Sequence, residues 1–234
     1  SEMCIRDRIY ADRIFNATNN LTMLDAWGGS LAYTLQLYFD FSGYSEMAIG
    51  LGLMFNYNLP LNFNLPYRAT SIIDFWRRWH MTLSAFLKNY LYIPLGGNRT
   101  GHHLRNIMIT MFLGGLWHGA GWTFIFWGVL HGIYICINHL WRKTKYTLPQ
   151  WLNWFITFNA VNIAWIFFRA ATFSDALNVL IAMVDVSNLT GGVIALKHIG
   201  GLLAVMIVVL LGIDTVKVEK RFVHNYCWLI VLIL

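Results

Sequence analysis

His118 sits in the run Leu116 to Gly121 (LWHGAG), directly after the short apolar stretch Ile107 to Leu116. A neutral imidazole has its reference pKa near working pH, so it suits taking a proton from a hydroxyl nucleophile. At membrane depth such a ring is costly unless hydrogen-bonded, and an ionisable group there is a functional candidate by default. The competing reading is a satisfied packing histidine beside Trp117, and the residues alone leave both readings open. His80, in Asp74 to His80 (DFWRRWH), is the second candidate. On a helix Arg77 and His80 stand three apart, as do Trp76 and Trp79, so a cationic face would adjoin an aromatic one. With Arg78 beside it, that face suits the anionic part of a coenzyme thioester. It equally suits an interfacial helix whose Trp and Arg reach lipid headgroups, and spacing by itself favours the second reading.

Asp40 and Glu46 form the third constellation, within Tyr38 to Gly50 (YFDFSGYSEMAIG). Carboxylates inside an apolar stretch must pair, protonate or line a wet cavity. They can orient a histidine or arginine, form a structural salt bridge, or relay protons. Six positions on a helix of about 100° per residue turn them ~600° apart, so they do not share a face. His102, His103, His131, His139, His198 and His224 show no metal-ligand spacing, and no metal is expected. His131 reads as a core residue, with a place in the site as its alternative. Cys4, Cys136 and Cys227 are scattered and read as packing residues. Neither a phosphate-binding glycine motif nor a G-x-S-x-G elbow occurs.

The elements that must position these residues belong to a bilayer. Of the 234 residues 57% are hydrophobic and 12% charged, about half the charged share of an average soluble domain. Eleven Trp and eleven Tyr suit membrane interfaces, where a ring lies in the apolar zone and its polar edge stays wet. The net charge of +6 is spread between apolar runs with no binding motif, which argues against nucleic acid. Four stretches approach the roughly 17 to 25 residues a spanning helix needs: Trp27 to Phe55, Gly121 to Leu140, Trp151 to Phe168, and Ile199 to Ile213 with an extension to Val216. Ile107 to Leu116 reads as a short or re-entrant helix, Ser71 to Tyr92 as an amphipathic helix on the cytoplasmic face, and 169–198 as an external loop. Basic residues concentrate at Arg68 to Arg105, at Arg142, Lys143 and Lys145, and at Lys217, Lys220 and Arg221. Lys and Arg mark cytoplasmic loops, so residues 106–141 must enter the membrane and return, with His118 at the turn. Ser1 to Arg8 reads as a non-native leader, and 9–234 as the C-terminal part of a larger all-α membrane domain that also lacks its last segments.

Three ordered blocks, Tyr38 to Gly50, Asn62 to Arg99 (NFNLPYRATSIIDFWRRWHMTLSAFLKNYLYIPLGGNR) and Gly114 to Gly132 (GGLWHGAGWTFIFWGVLHG), resemble the membrane-bound O-acyltransferases, in particular their alginate O-acetyltransferase branch. The resemblance runs from about Ala11 to Arg169 and takes in WIFFRA, Trp165 to Ala170. Relatives acetylate peptidoglycan or move D-alanine onto teichoic acids. The resemblance implies a shell of helices around a tunnel through the bacterial cytoplasmic membrane. The family's invariant histidine falls on His118, and its second histidine, at the cytoplasmic mouth of the tunnel, on His80. It further implies an acyl thioester such as acetyl-CoA as donor substrate with no bound cofactor. Arg77, Arg78, Trp76, Trp117, Asp40 and Glu46 are then supporting residues; Glu46 stands where many members have Asp. The implied partners are an extracytoplasmic acetyltransferase, a polysaccharide acceptor and membrane lipids. A transporter or channel with Asp40, Glu46 and His118 on a proton or ion path is the rival reading. It leaves the basic aromatic segment around His80 unexplained.

Overall fold

In the computed structural model, which describes residues 14–15, 21–99, 101–189 and 196–211, the regular elements are all helical. The expected leader, the basic group Lys217, Lys220 and Arg221, and the last apolar run lie outside the described residues. The long helix α1 (Met23–Met54) starts at a capping box: Thr22 accepts from the Asp25 N–H at 3.2 Å, and the Asp25 carboxylate accepts from the Thr22 N–H and hydroxyl. Two short helices follow, α2 (Ile72–Trp76) and α3 (Met81–Leu87), the latter continued by a π-helical turn at Lys88–Tyr92. Next come α4 (His103–His118), α5 (Trp122–Trp141), α6 (Gln150–Arg169), α7 (Phe173–Val184) and α8 (Leu196–Leu211). The first half of α1 packs against α6, α7 and α8, and α5 joins that group through α6.

Among the described residues α5 and α6 are long and apolar enough to cross a membrane. They match two of the four expected spans. The first expected span is helical throughout, but Thr34, Gln36, Asp40, Ser42 and Glu46 keep α1 below the apolarity a span requires. The last coincides with α8, whose 16 described residues fall short of a span. The expected external loop contains α7, which begins at a second capping box, Thr172 with Asp175.

A larger correction concerns Ser71 to Tyr92. The expected single helix breaks at Arg77–His80, where His80 adopts the left-handed conformation, φ 44° and ψ 56°. That backbone costs a residue with a Cβ about 1–2 kcal/mol. Flanking hydrogen bonds hold it in place: Asn64 N–H donates to Arg78 C=O and Met81 N–H to Asn62 C=O, both at 2.9 Å. Segment 62–64 thus runs beside 78–81 and sets the kink, so Trp76, Arg77 and His80 do not form the continuous helical face that spacing suggested.

The core is aromatic. Trp127 and Trp165 stack at 5.8 Å, Phe75 stacks on Trp79 at 5.6 Å, and Phe75 also stacks on the buried His131. One buried polar chain crosses it. Thr34 donates to the Asn162 side-chain oxygen at 2.7 Å, the Asn162 amide donates to Ser30 at 3.1 Å, and Tyr67 donates to the Thr34 carbonyl. Replacing Asn162 with leucine should strand the Thr34 hydroxyl and lower stability by about 1–3 kcal/mol. The check is a thermal melt in detergent, where an unchanged midpoint would mean that the chain of hydrogen bonds contributes nothing.

Candidate active site

Among the described residues, helices α4 and α5 are the most extensively packed pair, joined by the turn Gly119–Gly121. The reason is local. A Cβ on Gly115 would lie 2.5 Å from the Phe124 carbonyl oxygen, and one on Gly128 would overlap the Met111 carbonyl and approach Gly115 Cα at 3.0 Å. Two glycines facing each other let the backbones touch, as small residues do in membrane helix pairs. The turn places His118, the last residue of α4, at the end of this hairpin.

His118 and His80 line the same cavity of about 300 Å³. Its other walls are mostly aromatic, with Trp76, Trp79, Trp117, Trp127, Trp165 and Phe168 among them. The His118 ring meets Trp117, Trp127 and Phe168 edge-on at 5.0, 5.1 and 5.1 Å, and no hydrogen bond holds it among the described residues. Its nitrogens are therefore available to a small molecule in the cavity. His80 is tied on one side only, its Nδ1 3.0 Å from the Asn62 side-chain oxygen. Burial holds the His80 imidazole down to about 4, with the neighbouring His118 pushing the same way, so at neutral pH it is uncharged.

The remaining candidates separate. Trp76 and Trp117 belong to the cavity, and Trp76 is also a wall of a second one. The Trp76 indole N–H donates to His131 Nδ1 at 3.3 Å. That bond requires the proton of neutral His131 to sit on Nε2, which is buried and finds no acceptor among the described residues. His131 is thus a core residue that anchors Trp76 and does not line the cavity. Arg77 and Arg78 both lie just past the end of α2 at Trp76, and they diverge. Arg78 pairs with Asp74 at 2.9 Å and reaches the Asn64 carbonyl, a structural tie. Arg77 is exposed and lines the second cavity, about 360 Å³, together with Lys88, His139 and Arg142. No carboxylate lines that cavity, and no ion pair engages Arg77, Lys88 or Arg142 among the described residues. Asp40 and Glu46 are not brought to the histidines. Both are exposed on α1, and Asp40 lines a different cavity with Arg169.

Sequence reasoning missed Asn62 and Trp127. Trp127 presents a fully buried indole whose N–H finds no acceptor among the described residues, on a residue that lines the histidine cavity. Nothing local marks either residue: one lies in a polar connection and the other is a tryptophan within an apolar span. Among the described residues no group of His, Cys, Asp and Glu could hold a metal ion.

Fold and site together define an all-helical protein with two histidines in an aromatic chamber and a carboxylate-free basic cavity next to it. The chain belongs to the membrane-bound O-acyltransferase family, whose model matches residues 10–174. A peptidoglycan O-acetyltransferase of Helicobacter pylori is 54% identical over 187 residues, 77% of this chain and 36% of the relative. A probable alginate O-acetylase of Azotobacter vinelandii is 50% identical over 185 residues, again 77% and 36%. A teichoic acid D-alanyltransferase of Streptococcus thermophilus is 32% identical over 171 residues, 62% of this chain and 41% of the relative. The chain thus spans little more than a third of the length of the first two relatives.

Proposed function

We propose that this chain carries the reaction centre of a bacterial inner-membrane acyltransferase, which moves an acetyl group from a cytoplasmic thioester for O-acetylation of an exported polysaccharide. The observation that carries this reading is the placement of His80 and His118, from separate elements, on one small aromatic cavity. The relatives' names supply the acceptor class, a cell-wall or exported glycan. Hydroxyl attack on a thioester needs a base and relief of oxyanion charge. His118 is the base: it takes the hydroxyl proton as the oxygen bonds to the carbonyl carbon. The carbon–sulfur bond then breaks, and the proton passes to the departing thiolate. The aromatic, weakly polar walls of the cavity strengthen these electrostatic effects. His80 holds the reacting groups through its free nitrogen. An extracytoplasmic acetyltransferase partner would pass the acetyl group to the polymer.

The basic cavity on the other side of Trp76 suits the anionic end of the donor. Arg77→Gln should then raise KM for a phosphate-bearing thioester about tenfold, the loss of one charge-assisted contact of roughly 1.5 kcal/mol, with kcat unchanged. A phosphate-free thioester should show no such change. The enzyme reading itself is tested by supplying labelled acetyl thioester to the full-length protein in proteoliposomes with glycan acceptor and partner. Label should appear in ester form, removable by mild base. Folded, inserted protein that transfers none from any thioester would sink the reading.

A further inference from the structure

The His80 ring has two nitrogens, and which of them is basic decides what it can do in the cavity. Three contacts converge on the Asn62 side-chain oxygen: the Thr82 backbone N–H at 3.3 Å, the Thr82 hydroxyl at 2.9 Å and His80 Nδ1 at 3.0 Å. A backbone N–H can only donate, so the Asn62 atom facing it must be the amide oxygen, not the nitrogen. The amide nitrogen, on the other side, donates to the Ser45 hydroxyl at 3.3 Å. An oxygen that only accepts cannot face a bare imidazole nitrogen at 3.0 Å without repulsion, so Nδ1 must carry the proton. The Thr82 hydroxyl also lies 3.4 Å from Nδ1, but its shorter contact is to the amide oxygen, so it adds to the same arrangement. Asn62 is itself fixed, because its carbonyl accepts from the Met81 N–H on the other flank of the His80 kink. Phe41 and Phe63, themselves in contact, pack against the ring at 4.7 Å edge-on and 6.5 Å stacked, and supply no competing donor or acceptor.

We propose that Asn62 is the positioning residue of the site: it holds neutral His80 as the Nδ1–H tautomer and so leaves Nε2 as the basic nitrogen facing the cavity. Its effect on turnover rests on the acyl-transfer reading above; the tautomer does not. At metal-ligating histidines, losing the hydrogen-bond partner that fixes the ring changes activity about 10–100-fold, and an effect of similar size is expected here. Asn62→Leu deletes the acceptor, while Asn62→Asp keeps an acceptor oxygen in place.

The experiment is 15N NMR of histidine-labelled full chain in nanodiscs, with the His80 signals identified by their absence in His80→Gln, alongside acyl-transfer kinetics. In the wild type and in Asn62→Asp, Nδ1 should give a protonated-type shift and Nε2 an unprotonated one. In Asn62→Leu the two tautomers should mix. Asn62→Leu should lose kcat about 10–100-fold with donor KM unchanged. Asn62→Asp should keep most of kcat but move the acidic limb of the pH profile upward, because a carboxylate beside Nδ1 stabilises the imidazolium; His118 is the other titrating group in the cavity. An Nε2–H tautomer in the wild type, or an unaltered Nδ1–H signal in Asn62→Leu, would overturn the proposal; if Asn62→Asp is the only variant that folds, the absence of the Nδ1–H signal from it would do the same. A tautomer that switches as described while turnover stays constant would uphold the role of Asn62 on the ring and remove His80 from the chemistry.

Discussion

Replacing His118 with alanine should reduce acyl transfer to near background, a loss of about 10²–10⁴-fold in kcat, the usual contribution of a positioned general base. Donor KM should change little, because the ring is proposed to act on the hydroxyl proton. Stability should change little as well. The imidazole makes no hydrogen bond among the described residues and borders an existing cavity, so its removal strands no partner and only enlarges open space. That combination separates it from His131. Loss of the His131 ring would orphan the Trp76 N–H and break a fully buried aromatic stack, so His131→Leu should lower the melting temperature first. Acetyl transfer at the wild-type rate by membrane-inserted His118→Ala would end the case for acid–base catalysis at this cavity.

The second large effect is structural. Gly128→Ala should push α4 and α5 apart, since the new methyl group overlaps the Met111 carbonyl oxygen, a backbone atom that cannot swing aside. Overpacking of this kind costs about 1–3 kcal/mol or more. Here the damage extends to the site, because the same hairpin carries His118 at its end. Gly115→Ala attacks the same contact from the other side, meeting the Phe124 carbonyl at 2.5 Å. Once the helices have separated the second substitution meets less resistance, so the double variant should lose less than the sum of the singles. By contrast, Gly43→Ala on α1, where nothing lies within 4 Å, should be silent. Yields of monodisperse protein after detergent extraction are the readout. A Gly128→Ala protein as stable and active as wild type would show that the close backbone contact is not required.

Much of this could be read from residue order. Low charge and long apolar runs identify a helical membrane chain, because backbone groups in lipid must be satisfied within the segment. Basic residues on either side of 106–141 required a hairpin, and the turn residues Gly119 and Gly121 put His118 at its end. Helix α7 was also legible in principle, since Thr172 and Asp175 spell a capping box before an apolar run. Spacing left His80 open between a donor-binding and an interfacial role, and the resemblance of three motif blocks favoured the site.

Only the tertiary structure decided how those pieces meet. Periodicity placed Trp76, Arg77, Trp79 and His80 on one continuous helix, whereas the hydrogen bonds of segment 62–64 to residues 78–81 force His80 into a left-handed kink. The kink sends Arg77 to a basic cavity, Arg78 to Asp74 and His80 to the chamber it shares with His118. Asp40 and Glu46 stay apart from that chamber because α1 carries them elsewhere. Hydropathy and spacing are properties of neighbours along the chain, so they set which segments become helices and which ends carry caps. Partnership between a connecting residue such as Asn62 and a ring eighteen positions away depends on long-range backbone pairing and packing, which no local pattern records.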